Sequence, residues 1–195
     1  MDNTLKNLIL ENDIISFDMF DTLVTRIIDD PENVFSILEK EFNIPSFRAL
    51  RHDKQSELGL KLFNEKGYPH ANLDEIYEYI RETTSIKNTN IIKKREIEIE
   101  KDLLFQNPQM YEVYKFAKDN NKKVIVTSDM YIEFDDIKDI LNNCGYTKID
   151  KIYLSSKEKK AKFNGELFDL VIEENKDKKI LHIGDNEKDD VIIPS

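Results

Sequence analysis

The chain has 195 residues, with 29 Lys plus Arg against 39 Asp plus Glu and a net charge of −10. That acidity argues against a nucleic-acid-binding protein with a basic face, and no apolar run approaches the length of a membrane span. At 39% hydrophobic and 35% charged residues the composition is that of a folded globular chain, and the single cysteine, Cys144, excludes an internal disulfide and a cysteine-rich zinc site. The first residues hold only the short run Leu8-Ile9-Leu10 with no basic segment before it, so the expectation is a reduced, cytoplasmic protein.

In chain order, the first expected strand is Ile14 to Phe17, a short β-branched run ending in polar residues. The long segment from about Ile27 to Asn121 then carries no convincing strand but several amphipathic stripes. Asp30-Pro31-Glu32 predicts a helix start with Pro31 at the first helical position, followed by Val34, Phe35, Leu38 and Phe42 on one face. Arg48 and Arg51 share a helix face at a spacing of three. Ile76, Tyr77 and Ile80 form another stripe, and Ile92, Arg95, Glu96, Ile99 and Leu103 a longer charged helix.

Met110, Val113, Tyr114 and Ala117 predict a helix leading into a second strand, Val124 to Val126. A helix through Phe134, Ile137, Ile140 and Leu141, a strand at Ile152 to Leu154, a helix through Leu167, Phe168, Val171 and Ile172, and a strand at Ile180 to Ile183 complete the pattern. Strands alternating with helices predict an α/β fold with a Rossmann-like parallel sheet, interrupted after its first strand by a helical insertion. The expected organisation is a core of residues 1–26 and 109–195 and a helical unit of residues 27–108. Few residues follow Asp190, and Val191 to Ser195 is expected to begin a helix that is cut short.

Four polar motifs fall where a parallel sheet places its ligands, beyond the carboxyl ends of the strands. They are Phe17-Asp18-Met19-Phe20-Asp21-Thr22-Leu23, Thr127-Ser128-Asp129, Lys162 ahead of Gly165, and Gly184-Asp185-Asn186-Glu187-Lys188-Asp189-Asp190. An aspartate after a strand is ordinarily a cap or turn residue; four such signals in this order are what distinguish the chain. At these residues the chain resembles the haloacid dehalogenase-like (HAD) hydrolase superfamily over nearly its whole length. The resemblance implies Asp18 as nucleophile, Ser128 and Lys162 as catalytic partners, and Mg²⁺ held by Asp18, Asp185 and Asp190 with the Phe20 carbonyl. Lys157, Lys159 and Lys160 are rivals for the lysine role; closeness to Gly165 favours Lys162. The helical insertion corresponds to that family's cap.

The chemistry explains the residue types. A carboxylate can attack phosphorus to give an aspartyl phosphate, and joining two anions calls for a divalent cation and a lysine to offset charge. One departure stands out: phosphatases of the superfamily place a second Asp two residues after the nucleophile, and here that residue is Phe20. Asp21 is a possible substitute, though its simpler role is in the turn. The wording Phe-Asp-Met-Phe-Asp-Thr-Leu resembles a subfamily found alone or joined to glycosyltransferases of bacterial surface-polysaccharide systems, which implies a sugar or polyol phosphate as substrate.

The leading expectation is therefore a Mg²⁺-dependent HAD hydrolase acting on a small phosphorylated or otherwise anionic metabolite. A carbon–halogen or carbon–phosphorus hydrolase using the same Asp18, and a non-catalytic module attached to a polysaccharide-synthesis enzyme, are the alternatives. Arg26 and Arg51 are candidate substrate residues. His52 and His70 are expected at the surface, His182 as a hydrogen-bonded strand histidine, Tyr131 as a packing or pocket ring, and Glu96 with Glu100 as a solvated or partner-binding pair.

Overall fold

The computed structural model describes residues 1–68 and 70–194. Four parallel strands form the central sheet: β1 (Ile14–Phe17), β4 (Lys123–Ser128), β5 (Lys151–Leu154) and β6 (Ile180–Ile183), in the order β5-β4-β1-β6. The chain lays β4 and β5 on one side of β1 and then crosses to place β6 on the other. That reversal beside β1 opens a crevice at the carboxyl ends of β1, β4 and β6, where ligands of such sheets bind.

Both faces of the sheet are covered, which is why its strands read as continuous apolar runs rather than as an alternation. Ile15, Phe17, Val124, Val126, Ile152 and Leu154 pack with Ile9 of α1 (Asn3–Glu11), Val113, Tyr114 and Ala117 of α6 (Pro108–Asp119), and Ile137, Ile140 and Leu141 of α7 (Phe134–Asn143). The intervening residues Ile14, Ile125 and Tyr153 face Leu167 and Val171 of α9 (Glu166–Glu174). Ile172 falls on the expected stripe of that helix but is 55% exposed, beside the half-exposed strand β6. Helix α1, capped by the Asp2 side chain on the Leu5 N–H, carries only one buried residue and gave no stripe to read.

Helices α2 (Asn33–Phe42), α3 (Phe47–Lys66), α4 (Leu73–Thr83) and α5 (Thr89–Leu103) build a second core around Val34, Leu38, Phe47, Tyr77, Ile80 and Ile92. Helix α4 starts with a reciprocal capping box between Asn72 and Glu75, which fixes its first turn. Pro31 is not the first residue of α2. Asp30 instead turns the chain by accepting the Glu32 N–H, and the helix begins two residues after Pro31, at Asn33.

A strand pair also corrects the strand-free reading of the insertion. β2 (Val24–Arg26) and β3 (Leu104–Gln106) form an antiparallel ribbon where the chain leaves the sheet and where it returns. Three residues are too few for a period-two pattern to register. Asn107 fastens this junction: its side chain caps α6 on the N–H groups of Gln109 and Met110 and donates to the Thr22 carbonyl. Between Ser128 and Lys162 lie only α7, β5 and the single turn α8 (Ser155–Glu158). A six-residue helical segment with π-type bonding, Glu187–Ile192, follows β6. Of the segment Val191 to Ser195, the last residue lies outside the described residues.

Candidate active site

The four motifs converge. Asp18 follows β1, and its N–H donates to the Ile183 carbonyl at the end of β6. Lys162 reaches it from the loop after α8, with Nζ 2.9 Å from Asp18 Oδ1, and also pairs with Asp190. Ser128, the last residue of β4, Asp185 and Phe20 join them around a cavity of about 180 Å³. Carboxylate oxygens of Asp18, Asp185 and Asp190 all lie within 4.8 Å of one another. Of the rival lysines, Lys157 lies over the Phe134 ring and Lys159 pairs with Glu75, so neither meets Asp18.

The surrounding bonds explain why these side chains hold still. The Asp129 carboxylate accepts the Lys162 backbone N–H at 3.0 Å, fixing the loop that carries the ammonium. Thr22 Oγ1 donates to Asp185 Oδ1 at 3.2 Å. Asp190 Oδ1 lies 3.0 Å from His182 Nε2, its Oδ2 accepts the Asn186 N–H, and His182 Nδ1 lies 2.8 Å from Ser16 Oγ. Ser16 in turn lies 2.9 Å from Thr127 Oγ1, so a polar line runs from the sheet to Asp190. Gly184 makes this approach possible: a Cβ there would sit 2.2 Å from the Asp190 carboxyl carbon.

Burial pushes the Asp18 carboxyl up to about 6, although Lys162 pulls against it. Burial would raise Asp190 too, but hydrogen bonds from His182 and Lys162 outweigh it and hold that carboxyl well below the ordinary range. Burial lowers His182, with Asp190 pulling the other way, so the ring is neutral near pH 7 with Nε2–H aimed at Asp190. For Lys162 burial is the largest influence, yet Asp18 and Asp190 overcome it and keep the ammonium charged. The site thus holds three carboxylates against one ammonium, an arrangement whose excess negative charge and hard oxygen donors fit a small divalent cation. Asp189 adds a further acid to the cavity, with a buried Oδ1 that has no hydrogen-bond partner.

Residues 13–192 match the sequence profile of the haloacid dehalogenase-like hydrolases. The chain belongs to that family. No curated protein matches its sequence closely enough to name a relative. Among solved structures it is similar to the HAD hydrolase YfnB of Bacillus subtilis, a structure with bound magnesium, at a TM-score of 0.62 and 16% identity over 94% of this chain and 84% of the other. It is also similar to a HAD phosphatase of Thermococcus onnurineus (TM-score 0.59, 14% identity, 93% and 80% covered) and to the L-2-haloacid dehalogenase RSc1362 (0.57, 12%, 90% and 79%). At these identities the likenesses show the shared fold. Among the described residues no helix is long and apolar enough to cross a membrane.

Other expected site residues fall elsewhere. Arg51 is fully buried inside the helical unit, where Nε and Nη2 donate to Glu96 and Nη1 donates to Gln55, so it has no face toward the cavity. Its side chain runs inward from α3, whereas Arg48 on the same helix turns outward to Asp30 and Glu32. Arg26 lies over the Phe20 ring, 4.5 Å from its centroid, and pairs with Glu100. Glu96 and Glu100 are therefore buried ion-pair partners rather than solvated residues. Asp21 has φ 57°, the conformation of its turn, and still lines the cavity.

His52 is exposed beside Glu32, as expected, whereas His70 is half-buried against Phe163. Tyr131 is a packing ring over Arg51 that also borders a second cavity. Sequence reasoning missed the supporting roles of Asp129, Thr22 and Asp189. All three sit inside the quoted motifs, but only the fold reveals what they touch.

Proposed function

We propose that this HAD-family hydrolase transfers the phosphoryl group of a small phosphorylated metabolite to water through an intermediate on Asp18. The observation that carries the reading is the meeting of Asp18, Ser128, Lys162, Asp185 and Asp190 around one cavity. Asp18 attacks phosphorus, the bond to the leaving oxygen breaks, and water then attacks the aspartyl phosphate to restore the carboxylate and release phosphate. Ser128 donates a hydrogen bond to a phosphoryl oxygen, and Lys162 balances the charge of the transferred group.

Asp18, Asp185 and the Phe20 carbonyl are the groups that would hold Mg²⁺, with Asp190 serving it directly or through water. Bound there, the ion would neutralise the phosphoryl oxygens. The three clustered carboxylates support this assignment, as does the magnesium in the Bacillus subtilis structure.

Phe20 leaves the leaving oxygen without the family's usual proton donor, so esters of acidic alcohols and acyl phosphates are the favoured substrates. Phe20 also suits the second reading, carbon–phosphorus or carbon–halogen cleavage, but a metal-free dehalogenation has no use for the acidic cluster. Residues 27–108 act in this proposal as a cap over the cavity. A cytoplasmic location, suggested by the lone buried Cys144, and association with a polysaccharide glycosyltransferase, suggested by the first motif, belong to the same proposal.

The test is hydrolysis of acetyl phosphate and aryl phosphates. The expected result is turnover that needs Mg²⁺, stops on chelation and is lost in Asp18→Asn while the melting temperature holds. Wild-type kcat in Asp18→Asn would overturn the mechanism.

A further inference from the structure

Beside the catalytic cavity lies a second one of about 350 Å³, within the size range of small-ligand pockets, and Phe20 and Asp129 border both. A substrate whose phosphoryl group sits between Asp18 and Ser128 finds room for its leaving part in this second space, past Phe20 and Asp129. Most charges around the space are answered within the protein: Arg26 pairs with Glu100, and Glu32 with Arg48 and His52. Asp129 is the exception. Its half-buried carboxylate accepts the Lys162 backbone N–H at 3.0 and 3.2 Å, and among the described residues no lysine or arginine side chain forms an ion pair with it. The nearby His70 is lowered by burial below its usual 6.5, so its ring is uncharged at pH 7 and offsets nothing.

We propose that Asp129 is a specificity-determining residue that selects a leaving group carrying a protonated amine, separated from the ester oxygen by two carbons, an inference that rests on the phosphoryl-transfer reading. An ionised carboxylate offers only acceptors, so its partner is a donor, and a charged donor gains most from it. A second phosphate or a carboxylate on the leaving part would meet Asp129 with like charge. Burial raises the Asp129 carboxyl against the pull of the Lys162 N–H, and a cation beside it favours the charged form. The same amine answers the absence of an acid at Phe20. It draws electron density from the ester oxygen, and when the phosphorus–oxygen bond breaks with its electron pair on that oxygen, the ammonium hands over a proton, so that a neutral amino alcohol leaves. Phe20, Met130 and Tyr131 give the two carbons an apolar wall.

The test is calorimetric binding, in the presence of Mg²⁺, of three inert phosphonates in which carbon replaces the ester oxygen: 3-aminopropylphosphonate, butylphosphonate and 2-carboxyethylphosphonate. The wild type is expected to bind the amine about tenfold or more tightly than butylphosphonate, the effect of a hydrogen bond between charged groups, and the carboxylate more weakly than either. Asp129→Asn keeps an amide oxygen for the Lys162 N–H and should bring the amine to within about twofold of butylphosphonate. The ratio of affinities within one protein is the readout, because a loosened Lys162 loop would weaken all three ligands alike and leave the ratio as it was.

Equal affinities for the amine and butylphosphonate in the wild type would overturn the inference whether or not the variant folds, as would a preference that survives Asp129→Asn or the failure of all three ligands to bind. A preference that depends on Asp129 in a protein that cleaves no phosphate ester, 2-aminoethyl phosphate included, would instead overturn the phosphoryl-transfer reading and leave the amine site standing.

Discussion

Buried charge is handled in opposite ways in the two halves of the molecule. In the helical unit Arg51 meets Glu96 through two hydrogen bonds, Gln55 takes a third, Tyr77 donates to Glu96, and the rings of Phe35 and Tyr131 flank the guanidinium. There one cation meets one anion directly, with the remaining hydrogen bonds taken up inside the unit. In the sheet half, three carboxylates cluster beside an open cavity with one lysine that pairs with only two of them, Asp18 and Asp190, and a neighbouring Asp189 oxygen is buried without a hydrogen-bond partner. Saturated charges hold a fold together, whereas unbalanced charges beside a space wait for a ligand. A burial figure alone does not separate the two, since Arg51, Asp18 and Lys162 are all buried.

The largest effect should come from opening the closed cluster. Arg51→Met strands Glu96 and should cost about 3–5 kcal/mol in denaturant unfolding, whereas Arg51→Met/Glu96→Met, which removes both charges, should come close to wild type. Equal losses in the two variants would show that packing around the arginine, not its charge, holds the unit. The contrasting change in the open cluster is Asp185→Ala. It should weaken Mg²⁺ binding at least about tenfold in calorimetry, or about 1.4 kcal/mol, with little loss of stability in metal-free buffer. Undiminished affinity would remove Asp185 from the metal site.

A smaller effect is expected from Phe20→Asp. Wild-type hydrolysis should favour aryl and acyl phosphates over alkyl phosphates, and the variant should narrow that gap severalfold by offering a proton to the leaving oxygen. If the wild type treats both classes alike, another acid is present, with Asp21 the nearest in sequence.

The smallest effect concerns the seam between the halves, where Leu73 N–H bonds the Tyr131 carbonyl and Glu75 pairs with Lys159. Burial lowers the His70 imidazole below its usual 6.5, with Asp129 pulling it up and Lys159 pushing it down. A group with a depressed folded pKa and a neutral folded form contributes its full stability above 6.5 and loses it as pH falls through the folded value. The urea midpoint should therefore decline below pH 6.5 less steeply in His70→Asn than in the wild type. Identical slopes would show that His70 titrates alike in both states.

The sheet was legible in the sequence because its four strands are buried on both faces and stand out as β-branched runs between helices. The helical insertion was legible for the same reason, since α2, α4 and α5 each carry a clear apolar stripe. The ribbon β2/β3 was not, being three residues a side, and the Pro31 signal misled because Asp30 uses it in a turn. In the site, residues named by motif, such as Asp18 and Lys162, met as expected. Arg51 illustrates the limit: helical spacing places it on a face with Arg48, but only the packing of α3 against α5 decides that one points to Glu96 and the other to solvent. The role of Asp129 was hidden because it acts on a backbone N–H far along the chain.

The most direct test of the central claim is a rapid-quench experiment with acetyl phosphate and Mg²⁺, followed by mass spectrometry of the peptide that carries Asp18. The account predicts a transient adduct of one phosphoryl group on Asp18, formed before phosphate is released and missing in Asp18→Asn. Release of phosphate in the first turnover with no adduct on that peptide at any quench time would contradict it.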